Sequence, residues 1–186
     1  MLITHEREKL LNAIVYFSEN VNFFGKIKLF KLLYFFDFEH YKLTGRSSTG
    51  LDYFAWEKGP VPKVLFEELE APKSDFLNKI RIEKVNTKYD RPMLCLSKVA
   101  DTTFESSFFT KRELQILKTL VLKYKNFKAD EMVEDTHLEN HPWDKIYNQL
   151  NQKNELIPYE LALRTQEKER MLKLVHERNE FIQTLK

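Results

Sequence analysis

The chain has 186 residues, 42% apolar and 31% charged, with 15 Phe and 8 Tyr, a composition far from the low-hydrophobicity signature of disorder. That length suits one domain that buries about 70% of its unfolded surface and builds a core without staples. A single cysteine, Cys95, excludes an intramolecular disulfide and a cysteine-rich zinc module, and a net charge of +2 excludes a chain dominated by phosphate-seeking basic residues.

The opening residues, Met1 to Glu6, turn charged before an apolar stretch of signal-peptide length appears, and no later stretch approaches the roughly 18 apolar residues of a membrane span. The expected setting is therefore the cytoplasm, without export or anchor. Thr4 is the expected N-cap of a first helix, in which Leu10, Leu11, Ile14, Val15 and Phe17 recur at helical spacing up to Glu19-Asn20.

From Lys26 to Leu43 the apolar positions wrap most of the way around the helix: Ile27, Leu29, Phe30, Leu32, Leu33, Tyr34, Phe35, Phe36, Phe38, Tyr41 and Leu43. A helix apolar on so many sides is buried on several of them, which makes it the centre of the fold. Lys26, Lys28, Lys31, Asp37, Glu39, His40 and Lys42 interrupt it too often for a membrane helix.

Thr44 to Gly50 is a loop by composition, and Asp52 to Trp56 resumes in extended form. Gly59 can take a positive φ and Pro60 is preset for a first helical turn, so Val61 to Glu70 is expected to be helical, closed by Ala71-Pro72-Lys73. Lys79 to Val85 alternates polar and apolar residues, and Met93 to Leu96 follows after Asn86 to Pro92, giving a candidate antiparallel pair. Cys95 there suits packing more than reactivity, since nothing nearby in sequence would stabilise a thiolate.

Thr110-Lys111-Arg112-Glu113 has capping-box spacing and opens a helix with the stripe Leu114, Leu117, Leu120, Val121 and Tyr124. Ala129 to Thr136 is expected as a short acidic helix, Pro142 as the first turn of another running to about Leu150, and Pro158-Tyr159-Glu160 as the start of a further element. A last helix spans about Thr165 to Leu185 and should dock through Met171, Leu174, Val175, Ile182 and Leu185. The whole is mainly α: a single helical domain, 1–186, around a buried central helix (about 26–43) with a small antiparallel β element (about 53–57 and 79–97).

Catalytic and cofactor patterns are sparse. Four glycines form no phosphate loop, no nucleophile elbow is present, and the acidic pairs Asp130-Glu131 and Glu134-Asp135 suit a solvated helix face, so neither an enzyme nor a cofactor is expected. His137 and His141 stand four apart with Glu139 between, but the glutamate is one position late for the helical zinc motif and Pro142 bends His141 out of helical geometry. Backbone bonding by His137, with Trp143 packed beneath, is the nearer reading, and no metal is expected.

Lys111 to Lys128 carries six basic residues against Glu113, while Ala129 to Asp144 carries six acids and no Lys or Arg. Adjoining helix faces of opposite charge explain the switch, whereas a basic face of Lys118, Lys123, Lys125 and Lys128 dotted with Tyr124 and Phe127 would suit DNA.

Several features taken in order resemble the Panacea domain, also described as SocA-like or GepA-like phage-associated. They are Lys31-Leu32-Leu33-Tyr34 in a long helix, Thr44-Gly45-Arg46, Phe54-Ala55-Trp56, Gly59-Pro60-Val61, then His137, Pro142-Trp143 and Ile157-Pro158. Together they span roughly residues 26–163; Glu57-Lys58 stands where an aromatic often precedes the Gly-Pro, and Ser74 to Phe109 matches little of the pattern. The resemblance implies an antitoxin that neutralises a toxin encoded nearby by direct binding. Alternatives are an adaptor delivering the toxin to an ATP-dependent protease and a DNA-binding transcriptional regulator.

A surface that binds another protein needs anchors, and aromatics flanked by charge supply contact area at limited entropic cost. Tyr53, Trp56, Lys58, Gly59, Pro60, His137 and Trp143 are the candidate contacts. The two tryptophans serve equally as core, and Gly59-Pro60 as a turn.

Overall fold

The computed structural model describes residues 4–86, 92–137 and 141–184. Its elements run α1 (Glu6–Asn20), α2 (Lys26–Thr44), β1 (Tyr53–Trp56), β2 (Gly59–Pro62), α3 (Lys63–Glu68), α4 (Ser74–Leu77), β3 (Ile80–Asn86), β4 (Pro92–Lys98), α5 (Lys111–Tyr124), α6 (Ala129–Thr136), α7 (Pro142–Asp144) and α8 (Thr165–Thr184). Short 3-10 turns lie at Ser106–Phe108 and Tyr159–Ala162, and one π turn at Lys145–Gln149. The protein is mainly α with two small antiparallel hairpins, β1–β2 and β3–β4, which form separate sheets.

The central helix is α2. It packs against α1, α5, α6, the β2 strand and the Tyr159–Ala162 turn, and Leu29, Leu32, Leu33 and Phe36 on it have no exposed surface. Its polar positions, Lys28, Lys31, Asp37 and His40, are buried as well. Each fastens a neighbouring segment, because a buried donor or acceptor is costly unless it finds a partner.

Lys28 donates from Nζ to the carbonyls of Asn22, Lys125 and Phe127, which ties the α1–α2 turn to the end of α5. Asp37 accepts from the backbone N–H groups of Ser48 and Thr49, from the Thr49 hydroxyl and from the Tyr53 hydroxyl. The His40 ring contacts the Arg46 carbonyl at 3.0 Å. The loop after α2 is thereby folded back onto the helix that precedes it, and β1 leaves at a set place.

Several expected boundaries hold. The capping box forms, with the Thr110 hydroxyl accepting from the Glu113 N–H and the Glu113 carboxylate accepting from the Thr110 N–H. The acidic helix spans Ala129–Thr136, and Pro142 occupies the first turn of α7, which passes into the π turn before Leu150.

Others differ. Helix α1 is capped by His5 in the left-handed region (φ 53) and not by Thr4, with no side-chain cap bond. Gly59–Pro62 is strand and not the opening of a helix, because it pairs with β1 from Trp56↔Gly59 to Tyr53↔Pro62; the helix starts only at Lys63. The positive φ that the tight Glu57-Lys58 turn demands falls on Gly59 (φ 94). Beyond β1, residues 154–157 add a further backbone rail: Ala55 N–H bonds the Glu155 carbonyl and Ile157 N–H the Tyr53 carbonyl.

Helix α8 docks along a narrow line. A Cβ at Gly45 would meet Val175 at 2.8 Å and Met171 at 3.0 Å, so these two side chains close on the C-terminus of α2. Leu174, expected on the same face, is 49% exposed, as is 63% of Phe181; Leu185 lies outside the described residues. No described helix is long and apolar enough to cross a membrane.

Candidate functional site

The β1–β2 hairpin is carried on α2 through one cation. Lys31, only 1% exposed, donates from Nζ to the Pro60 carbonyl at 2.9 Å. Burial pushes its ammonium down to about 7, and no carboxylate among the described residues pairs with it. Gly59 is required there twice over: its φ is left-handed, and a Cβ would lie 2.6 Å from Lys31 Nζ and 2.9 Å from Thr136 Oγ1.

The opposite wall comes from α6 and α7. Trp143, 2% exposed, donates from Nε1 to the Trp56 carbonyl at 2.9 Å, so the last residue of β1 is held by an indole 87 positions away. His137, at the C-cap of α6, lies face to face on Trp143 with ring centroids 3.7 Å apart and planes 4° from parallel. Tyr147 stacks near the same indole at 4.6 Å.

Burial, reinforced by the Lys31 cation, holds the His137 imidazole down at about 4. It is therefore neutral at physiological pH. Its Nε2 is buried and finds no hydrogen-bond partner among the described residues, while the expected packing on Trp143 is made. Glu139 lies outside the described residues, and no group of three or more His, Cys, Asp or Glu among those described could hold a metal ion.

Of the seven sequence candidates, Trp56, Gly59, Pro60, His137 and Trp143 converge on this junction. Gly59, Pro60 and Trp143 are buried, Trp56 and His137 are partly open, and Lys58 stands exposed at the hairpin tip. Tyr53 sits at the far end of β1 with no exposed surface, its hydroxyl on Asp37 at 2.8 Å and its ring among Tyr34, Phe38 and Tyr159. In this arrangement it supports the hairpin and presents nothing outward.

Sequence reasoning did not place Lys31 and Thr136 in the site. The available signal for Lys31 was a lysine between Phe30 and Leu32 in a helix otherwise apolar at that level. The aromatic component of the basic α5 face is also redirected inward: Tyr124 is 1% exposed, stacks on Phe35 at 5.0 Å and donates its hydroxyl to Asp135. Lys123 pairs with the same Asp135 at 3.1 Å, so opposite charges do join α5 to α6.

Outside the junction an open groove begins. Trp56 meets Phe66 edge to face at 4.9 Å, and the Lys26 ammonium lies 4.4 Å over the Phe66 ring. Phe30, Val61 and Ile27 complete a cavity of about 360 Å³ there.

The family described as "Antitoxin SocA-like, Panacea domain" matches residues 29–144, from the end of the first turn of α2 to the end of α7. No curated protein and no solved structure matches the chain. The matched region takes in the central helix, the hairpin it carries and the indole that holds the hairpin, and the chain belongs to the antitoxin SocA-like, Panacea-domain family.

Proposed function

We propose that this protein is an antitoxin that neutralises a toxin encoded nearby by binding it directly, without catalysing a reaction. The single observation that supports the reading most is the family match over residues 29–144, which spans every element of the Lys31 junction. The geometry is consistent with it. Two polar groups at the junction hold backbone: Lys31 on Pro60 and Trp143 on Trp56. A rigid hairpin that presents Trp56 and Lys58 is what a binding surface needs, since preorganised anchors lose little entropy on association.

Co-expression tests the reading. The open reading frame beside this gene, expressed alone, should arrest growth, and co-expression of this chain should restore it with recovery of a complex. Restoration without a complex, together with loss of the toxin's chemical target or product, would replace binding with an enzymatic role.

A further inference from the structure

A second cavity, of about 490 Å³, lies beside the first at the start of α2 and shares Lys26, Ile27 and Lys58 with it, and the two together make up the groove. One end is walled by Trp56 and Phe66, the other by Phe23 and Met93. Phe23 is 61% exposed and Met93 42%.

Phe23 is also held in the left-handed region, at φ 56, where a bulky residue is strained. The turn around it is over-determined. Asn22 N–H bonds the Lys125 carbonyl, Leu96 N–H bonds the Phe24 carbonyl, Gly25 N–H bonds the Phe23 carbonyl, and Lys28 reaches the Asn22 carbonyl. Four hydrogen bonds thus fix an unfavourable backbone whose product is an aromatic ring turned to solvent. Strain of this kind, held by the structure around it, clusters at binding and active sites.

The groove is electropositive. Lys26, Lys58 and Lys128 present ammonium groups along it, against Glu57 and Asp130, and none of the three has a carboxylate in ion-pair range among the described residues. Lys28 and Lys31 lie beneath, each 1% exposed with its Nζ on backbone carbonyls. An apolar floor with unpaired ammonium groups fits an apolar segment bearing carboxylates. A polyphosphate backbone fits it less well, having no apolar face for Phe23 and Met93.

We propose that this groove docks a segment of the toxin in which an apolar anchor side chain is flanked by carboxylates, the anchor seating between Phe23 and Trp56 and the carboxylates meeting Lys26, Lys58 and Lys128. The proposal rests on the antitoxin reading and names the surface that performs it.

The test uses the full chain with the protein encoded beside it. Phe23→Asn removes the ring and relieves the backbone, since asparagine tolerates the left-handed region, so its melting temperature should equal or exceed that of the unsubstituted chain while affinity for the toxin falls at least tenfold. Lys58→Glu with Lys128→Glu should lose affinity to a similar degree and abolish growth rescue. Phe181→Ser on α8 should change neither.

If the unsubstituted chain rescues growth and both groove variants do so equally well, the groove is overturned and the antitoxin reading stands. If the unsubstituted chain neither rescues nor binds, the antitoxin reading falls and takes the occupant with it. Binding of the gene's own promoter duplex that the lysine reversals abolish would give the groove to nucleic acid and also overturn the proposal.

Discussion

Lys31 Nζ and the Pro60 carbonyl oxygen, 2.9 Å apart, join the centre of the core to the second strand of the hairpin through a buried amine that has no carboxylate partner among the described residues. Desolvation makes its charged form costly, and the energetic consequence depends on pH. The unfolded ammonium titrates near 10.5 and the folded one at about 7, so between those values the unfolded chain holds a proton that the folded chain has released. The contribution of Lys31 to stability therefore rises with pH across that window. In Lys31→Met it vanishes. Urea midpoints at intervals from pH 7 to 10 should show the wild type gaining on the variant as pH increases; parallel curves would remove the burial account of Lys31.

Gly59→Ala places a Cβ 2.6 Å from Lys31 Nζ and 2.9 Å from Thr136 Oγ1, on a backbone at φ 94. The left-handed penalty and the crowding together should cost about 2–4 kcal/mol. Equilibrium denaturation measures it directly. A loss smaller than about 0.5 kcal/mol, the usual scatter of surface substitutions, would mean that the hairpin tip is not pinned as described.

Trp143 separates a hydrogen bond from packing. Trp143→Phe keeps a ring under His137 but leaves the Trp56 carbonyl without its Nε1 donor, a loss of roughly 1–2 kcal/mol; Trp143→Ala should cost about 3–5 kcal/mol. The His137 imidazole reports on the same change. In the wild type it should titrate near 4, and in Trp143→Ala it should return toward 6.5 as burial is lost, which proton NMR follows. The sign for stability is opposite to that of a His gaining an acidic partner: the folded form is depressed, so stability present above pH 6.5 is lost as pH falls toward 4. An unshifted His137 in the wild type would contradict the stacked, buried placement.

Glu113 joins three elements, accepting from Lys9 at 2.7 Å, from the Ser48 hydroxyl and from Thr110. Burial alone would raise its carboxyl, but those hydrogen bonds outweigh it and hold the group at about 2. Its stabilisation is complete above the unfolded value of 4.5 and is lost as pH falls toward 2. Glu113→Ala strands the Lys9 cation, so it should cost about 3 kcal/mol at neutral pH and flatten the acid limb of the stability curve. Unchanged acid sensitivity in that variant would show that other carboxylates govern it.

What the sequence conveyed and what it withheld divide along local and long-range chemistry. Thr110 to Glu113, Ala129 to Thr136 and Pro142 carry their cues within a turn, and the structure places those elements where the cues point. The apolar run in α2 likewise announces its own burial. Gly59-Pro60 is the opposite case: its local chemistry suits a helix start, but strand pairing with Tyr53 to Trp56 and the bond from Lys31 impose a hairpin.

The buried polar positions of α2 were readable only as interruptions, because their partners lie as far away as Phe127, 99 residues on from Lys28. Helix α4, a single turn at Ser74–Leu77, has no room for periodicity. The site divides in the same way. Gly59, Pro60 and Trp143 stand out by residue type, whereas Lys31, Thr136 and the groove edge at Phe23 become visible only when α2, α6 and β4 are brought together.

A protein that acts by occupying another polypeptide neutralises it stoichiometrically. Purified toxin should be titrated with this purified chain while toxin activity and complex formation are followed together. Activity should disappear at a fixed molar ratio, in step with the complex, and return when the complex is dissociated. Inactivation of many toxin equivalents by one molecule of this chain, with no lasting complex, would contradict action by occupancy.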